Sequence, residues 1–312
     1  MNEPELQKGG SVVIPVYNGA DTITPLVERL LKVLPDLFPA YEIILVEDSS
    51  PDNSWEVVSE LCERWPETVR GIRMSRNFGQ HPATLCGIRA AKYDIIATMD
   101  DDLQHPPEEL PALLEELNKG YDVVYAVPKK LPHSWWRNLS SKLTKIILGK
   151  IMGIPIREIG AFRVFRTGLR NAFASYKSPD VYIDPLLAWG TKSFSHVMVQ
   201  EDPRASGSSN YSFAKLVHAG MLILTGYSTV PLKFASMLGF IFMLFGFGVL
   251  VYVLIVAIAL GSTPGFPFLA SIISIFAGVQ LFTLGIFGEY LSRMYERSAD
   301  KPPYVIKEAK NE

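Results

Sequence analysis

Cysteine is almost absent from this chain: Cys62 and Cys86 are the only two in 312 residues. Two isolated thiols build no disulfide framework and lack the spacing of a thiolate metal site. Neither sign of charge prevails, with 30 Lys and Arg against 32 Asp and Glu for a net charge of −2. That balance argues against a general nucleic-acid binder. No Gly-x-Gly-x-x-Gly follows the first strand-like run and no Gly-Lys-Ser/Thr loop occurs, which removes dinucleotide and P-loop sites. Met1–Gly10 is polar and has no apolar signal-peptide core, so the soluble part is expected to stay in the cytoplasm. The longest absence lies between Lys233 and Glu289, where 55 consecutive residues carry no Asp, Glu, Lys or Arg.

That uncharged span divides at the Gly/Pro-rich turn of residues 261–267 into two apolar runs, 234–260 and 267–288. Each has the roughly twenty residues that a bilayer-crossing helix needs, so a two-helix membrane hairpin is expected, against a pair of buried helices in a soluble core. Lys215 and Lys233 precede the first run, Arg293, Arg297 and Lys301 follow the second, and the turn has no basic residue. The positive-inside rule then puts both termini in the cytoplasm of a multi-pass protein of the cytoplasmic membrane.

Ahead of the hairpin, strand-like runs alternate with helix-like ones: 11–15, 42–47, 69–74, 94–99 and 122–126 separated by 22–34, 54–65, 82–91 and 107–119. Near-continuous apolar strands between helices indicate an α/β domain with a parallel sheet covered on both faces. Such sheets bind ligands outside the carboxyl ends of their strands. Polar clusters fall at three of those ends: Pro15 to Asn18, Glu47 to Asp52, and Asp100 to Asp102.

The last cluster, MDDDLQHP at 99–106, sets three carboxylates side by side. Adjacent carboxylates repel and raise one another's pKa, so the arrangement asks for a cation. Along an extended segment Asp100 and Asp102 share a side and Asp101 faces away, with Gln104 next in line. Asp100, Asp102 and Gln104 therefore form a candidate oxygen site for Mg²⁺ or Mn²⁺, and Asp101 is expected to be dispensable. A helix N-cap before Pro106 is the plainer reading of the same residues. His105 is either an additional ligand or a turn residue. Asp48 and Asp52 are either turn and cap residues or contacts to a base or ribose.

The series VIPVYN (13–18), VEDSS (46–50), SRNFG (75–79), MDDDLQHPP (99–107) and GAFR (160–163) resembles the family 2 glycosyltransferases of the GT-A fold. More closely, with residues 210–212, 226–232 and 288–293 included, the chain is similar to the transferases that place a sugar on dolichyl or undecaprenyl phosphate. The resemblance implies a Rossmann-like, mostly parallel domain that moves one sugar from a nucleotide diphosphate donor, UDP by preference, to a polyprenyl phosphate at the cytoplasmic membrane face. It implies donor contacts from Pro15, Tyr17, Asn18, Asp48, Gly79 and Asp100, and a catalytic metal on Asp100, Asp102 and Gln104. Asp102 and Arg163 take the catalytic roles. Arg163, Arg166, Arg137, Arg204, Tyr211 and Ser212 are expected at the acceptor phosphate, and the resemblance allows a homotetramer. No nucleic-acid partner is expected.

Three departures from the pattern stand out. Ala161 replaces the Asp that many relatives carry before Phe-Arg, so no general base is assigned there. A phosphate monoester has a second pKa of about 6 and is largely a dianion at neutral pH, so the acceptor needs orientation and cations more than a base. Residues 18–21 and 80–82 also depart, beside the expected donor pocket. The run 134–151 has Trp135 and Trp136 with Arg137, Lys142, Lys145 and Lys150 among apolar positions. It reads as a basic amphipathic helix in the membrane interface or a helix packed on the sheet.

The expected organisation is a glycosyltransferase domain over 1–210, a juxtamembrane amphipathic segment over 211–233, two spanning helices within 234–290 and a cytoplasmic tail over 291–312. The enzyme is expected to invert the anomeric centre by in-line attack. The rivals are a processive polysaccharide synthase, disfavoured because no Gln-x-x-Arg-Trp occurs, and a non-catalytic membrane adaptor that keeps the fold.

Overall fold

The structure, a computed structural model, describes residues 7–129, 160–200, 202, 225, 228–260 and 265–311. The expected interfacial helix at 134–151 and the acceptor candidates Arg137, Arg204, Tyr211 and Ser212 lie outside these residues.

Among the described residues, eight strands form one mixed sheet. In chain order they are β1 (Gln7–Val16), β2 (Tyr41–Glu47), β3 (Val69–Met74), β4 (Tyr93–Thr98), β5 (Val123–Pro128), β6 (Arg163–Arg166), β7 (Phe194–Val199) and β8 (Ile306–Lys310). Their order across the sheet is β7-β5-β6-β4-β1-β2-β3-β8. The central β4-β1-β2-β3 block is parallel, as is β5 with β7, whereas β6 and β8 run antiparallel to their neighbours.

The helices α1 (Ile23–Leu37), α2 (Ser54–Arg64), α3 (Gln80–Ala90) and α4 (Leu110–Asn118) cover the sheet: α1, α2 and α4 present apolar stripes at helical spacing, and α3 is buried without a break from Pro82 to Ile88. In α1 the buried positions are Ile23, Leu26, Val27, Leu30 and Leu34, the i, i+3, i+4, i+7 pattern of a core-facing helix. One face of β1 and β2 (Val12, Ile14, Ile43, Leu45) joins the core under α1, α2 and α4. The other face packs on α3 so closely that a Cβ at Gly87 would run into Val13. Strand β2 is buried on both faces from Glu42 to Glu47, which explains its unbroken apolar run.

A short helix α5 (Ile183–Gly190) precedes β7, and two long helices follow, α6 (Val230–Leu260) and α7 (Phe266–Ser298). Helices of 31 and 33 residues extend about 47 and about 50 Å at 1.5 Å per residue, enough to cross a hydrocarbon core of about 30 Å. They pack together through Gly246, where a Cβ would meet the Phe276 ring at 2.8 Å, and through the edge-on pair Phe242–Phe276. Small residues permit this close approach.

Helix α7 outruns its expected end at 288. Its polar last turns are held by Arg293, which pairs with Glu289 at 2.7 Å and Glu296 at 3.0 Å.

The chain divides into two compact units, one of 213–299 and one that combines 1–212 with 300–312. Within the expected C-terminal tail, residues 306–310 are a strand of the sheet. Its sequence, IKEAK, gives no apolar alternation because an edge strand with exposed residues needs none.

Candidate active site

A cavity of about 260 Å³ opens at the carboxyl ends of β1, β2 and β4, lined by Pro15, Val16, Tyr17, Asp48, Asn77, Gly79, Gln80, Asp100, Asp101 and Asp102. Five of the expected donor-site residues, Pro15, Tyr17, Asp48, Gly79 and Asp100, are brought together here. Asn18 is not in the lining. It turns the chain with φ of 55° and donates its amide to Ser50 Oγ at 3.1 Å.

Asp48 is buried at the end of β2, and its two carboxylate oxygens accept the amides of Phe78 and Gly79, each at 2.7 Å. Burial raises its pKa despite these two bonds. Gly79 has φ of 100°, a backbone conformation open to glycine at little cost. Asp52 stays in the turn. Its carboxylate accepts the amide and hydroxyl of Ser54 and the amide of Ala20, so the turn reading holds for it.

The three adjacent aspartates all face the cavity, and this corrects the expectation that Asp101 points away. Asp101 Oδ2 accepts the Tyr17 amide at 3.2 Å, and its carboxylate occupies the space that a Cβ on Gly19 would need. Burial, followed by the charges of Asp100 and Asp102, pushes its pKa up to about 7. Asp100 is also raised by burial, and its Oδ1 accepts the Gln80 side-chain amide.

After Asp102 the chain turns at Leu103, with φ of 63°, so that the Gln104 amide reaches Asp102 Oδ1 at 3.1 Å. Gln104 contributes this backbone bond and is not among the residues that line the cavity. His105 packs its ring against Phe162, with centroids 5.4 Å apart.

Arg163 does not face the open rim. It is 2% exposed, donates Nε to Thr98 Oγ1 at 3.0 Å and Nη1 to Asp184 Oδ1, and lies over the Tyr125 ring. The Tyr125 hydroxyl donates to the same Asp184 oxygen at 2.9 Å. Its role as a direct phosphate contact is therefore corrected to a buried cation, whose charge bears on Asp100. Arg166 is corrected as well. It pairs in register with Ile95 near the start of β4, whereas Arg163 pairs with Thr98 at its end, so three strand residues, about 10 Å, carry it away from the carboxyl rim.

Sequence reasoning did not assign roles to Gln80, Asn77, Thr98, Tyr125 or Asp184. The one available signal was the departure at 80–82, which the structure places against Asp100. The Thr98 hydroxyl donates to the Ala161 carbonyl at 2.6 Å, so that stretch is read through its backbone.

A divalent cation fits this lining. Burial and mutual repulsion raise the pKa of Asp100 and Asp101, a cost that a positive ion relieves, and Asp100 and Asp102 supply hard oxygen donors. Among the described residues no three His, Cys, Asp or Glu side chains converge as a complete ligand set. An ion held here would draw its other ligands from water or a bound anion.

The family model described as Glycosyl transferase family 2 matches residues 11–172. The undecaprenyl-phosphate 4-deoxy-4-formamido-L-arabinose transferase of Pseudomonas aeruginosa (strain LESB58) is 34% identical over 301 residues, covering 95% of this chain and 88% of that one. The transferase of the same name from Edwardsiella ictaluri is 32% identical over 300 residues, covering 95% and 92%. Among solved structures, the Mycobacterium tuberculosis glucosyl-3-phosphoglycerate synthase with Mn²⁺, UDP and phosphoglyceric acid superposes with a TM-score of 0.50 at 15% identity, covering 70% of this chain and 76% of that one. The same enzyme with Mg²⁺ and UDP gives 0.50, 15%, 70% and 77%. At such identity the likeness extends to the fold and no further. The family match and relatives along nearly the whole chain agree with the rim of carboxylates at the sheet's carboxyl edge, and this chain belongs to glycosyl transferase family 2.

Proposed function

We propose that this chain is a membrane-anchored, inverting glycosyltransferase that moves one sugar from a nucleotide diphosphate donor, UDP by preference, to a polyprenyl phosphate at the cytoplasmic face. The observation that carries the reading is the one cavity that Asp48, Asp100, Asp101 and Asp102 all line, on a chain whose relatives are named as undecaprenyl-phosphate sugar transferases. Two helices long and apolar enough to cross a membrane support a lipid acceptor.

Asp48, fixed by two amides, is placed to accept hydrogen bonds from the nucleoside, and half-exposed Tyr17 offers an aromatic face to the base. Asp100 and Asp102 would hold Mg²⁺ or Mn²⁺, which when bound stabilises negative charge on the departing nucleoside diphosphate. The acceptor phosphate arrives deprotonated, so Ala161 leaves the chemistry intact. Buried Arg163 offsets part of the carboxylate charge from behind. The basic flanks of the hairpin favour a cytoplasmic active site.

The test is transfer of label from a panel of UDP- and GDP-sugars to undecaprenyl phosphate by the purified full-length chain with Mg²⁺ or Mn²⁺. The reading expects lipid-extractable product from a UDP-sugar and a loss of about 100-fold or more in Asp102→Asn. No product from any donor returns the chain to the adaptor reading. Polymer of many sugar units in place of a single-sugar lipid favours the processive synthase.

A further inference from the structure

We propose that the C-terminal strand β8 is a positioning element of the donor pocket, acting through the segment 75–79 and through α3. The inference rests on the reading of the cavity as a nucleotide-sugar site.

Strand β8 pairs antiparallel with β3, with Gly71 opposite Lys310, Ile72 opposite Ala309 and Arg73 opposite Glu308. The register then shifts, so that Met74 lies opposite Ile306, leaving one extra residue, Lys307, on the β8 side. A bulge of this kind re-aims a strand. Here it carries the pairing past the end of β3, where the Ser75 amide donates to the Val305 carbonyl at 2.8 Å. A strand that only covered the edge of the sheet would have no need to continue beyond Met74.

Ser75 opens the segment that builds one wall of the cavity. Asn77 and Gly79 line it, and the Phe78 and Gly79 amides grip Asp48. Two further ties lead to the same wall. Tyr304, just before the strand, lies under the Arg89 guanidinium at 5.7 Å and beside Cys86, both on α3. Helix α3 begins at Gln80, whose side chain holds Asp100. At the far end Asn311 donates to the carbonyls of Cys62 and Val69 at 2.8 and 2.9 Å, and Lys310 pairs with Glu63 at 3.1 Å. Residues 304–311 thus touch α2, β3 and α3 without themselves lining the cavity.

The experiment compares the full-length chain with a truncation that ends at Pro303 and with Asn311→Ala, which loosens the strand without shortening the chain. The expected result for the truncation is a KM for the nucleotide sugar at least tenfold higher, with the KM for undecaprenyl phosphate changed less than threefold. A peptide of residues 304–312 added in trans should restore part of the loss. Asn311→Ala should show the same split at smaller amplitude. Hydrogen exchange at the Phe78 and Gly79 amides should rise at least tenfold while that of Val13 and Leu45 stays protected. A folded truncation with wild-type donor KM and wild-type exchange at 78 and 79 overturns the proposal. So does an equal change in both KM values. If the truncation does not fold, Asn311→Ala decides by the same criteria. Should the intact chain prove to bind no nucleotide sugar, the reading of the site fails, and exchange at 78 and 79 still reports on the positioning.

Discussion

The Tyr17 amide donates to Asp101 Oδ2 across 3.2 Å, joining the end of β1 to the acidic loop that follows β4. Because Gly19 leaves room for that carboxylate, the two rims are tied by a residue that alternation along a strand would turn away. The loop is not extended there. Asp101→Ala removes the acceptor of an exposed backbone amide and should cost about 0.5–1.5 kcal/mol. Asp101→Asn keeps an oxygen for the bond and removes a charge beside Asp100 and Asp102, so it should stay near wild-type stability. Chemical denaturation of the detergent-solubilised chain measures both, and a wild-type midpoint for Asp101→Ala would show that the tie carries no stability.

The buried pair Arg163–Asp184 makes a second prediction. Both partners are largely removed from water, with side-chain exposures of 3% and 15%, and Tyr125 and Thr98 complete their hydrogen bonding. Removing one partner of such a pair leaves a buried, uncompensated charge, a loss of about 3–5 kcal/mol. Arg163→Ala and Asp184→Ala should each destabilise on that scale, while the double variant should cost clearly less than their sum. Strictly additive losses in a denaturation cycle would mean that the two residues do not act as a pair.

The central sheet was legible because buried parallel strands demand unbroken apolar runs, as in residues 42–47, and because helices α1, α2 and α4 show their stripes. The donor rim was legible for a related reason: Asp48 and Asp100 sit where parallel strands end. What escaped depended on contacts distant in sequence. Arg163 and Arg166 look equivalent in FRVFR, and only the antiparallel pairing of β6 with β4 separates an inward cation from one at the far edge. Asp184 lies in a helix with no charge pattern to announce it, and β8 is defined by β3 across more than two hundred residues. Gln104 differs again: Asp-x-Asp-x-Gln reads as a ligand series only in an extended chain, and Leu103 breaks that extension.

His81 sets a pH dependence. Its ring packs on Tyr182, with centroids 5.0 Å apart, and burial, opposed by Asp184 and assisted by Arg163, lowers its pKa to about 4 from 6.5. Above pH 6.5 the imidazole is neutral in both folded and unfolded chains and costs nothing. Between 6.5 and 4 the unfolded chain takes up a proton that the folded chain refuses, so stability contributed at this site falls as pH falls. The raised carboxylates Asp48, Asp100 and Asp101 act in the opposite sense, so the comparison must be made against a variant. His81→Gln should gain on the wild type as pH drops from 7.5 to 4.5. A difference in melting temperature that stays constant over that range would rule out the buried neutral imidazole.

The two thiols offer a last test, one that reads packing without any assay of turnover. Burial pushes Cys62 up to about 11 and Cys86 up to about 12, so at pH 8 only about one Cys62 in a thousand is thiolate, and fewer of Cys86. Both side chains are also covered, Cys62 at 1% exposure and Cys86 at 2%, and a reagent reaches them only through local opening. In the intact chain neither should be modified by a water-soluble disulfide reagent at pH 8 on the timescale on which a free thiol reacts fully. The covering differs, however. Gly71 of β3 packs toward Cys62 from within the sheet, whereas Tyr304 of the C-terminal segment lies beside Cys86. Tyr304→Ala should therefore speed modification of Cys86 at least tenfold and leave Cys62 near its native rate. Prompt labelling of either thiol in the intact chain, or equal acceleration of both, would contradict this arrangement.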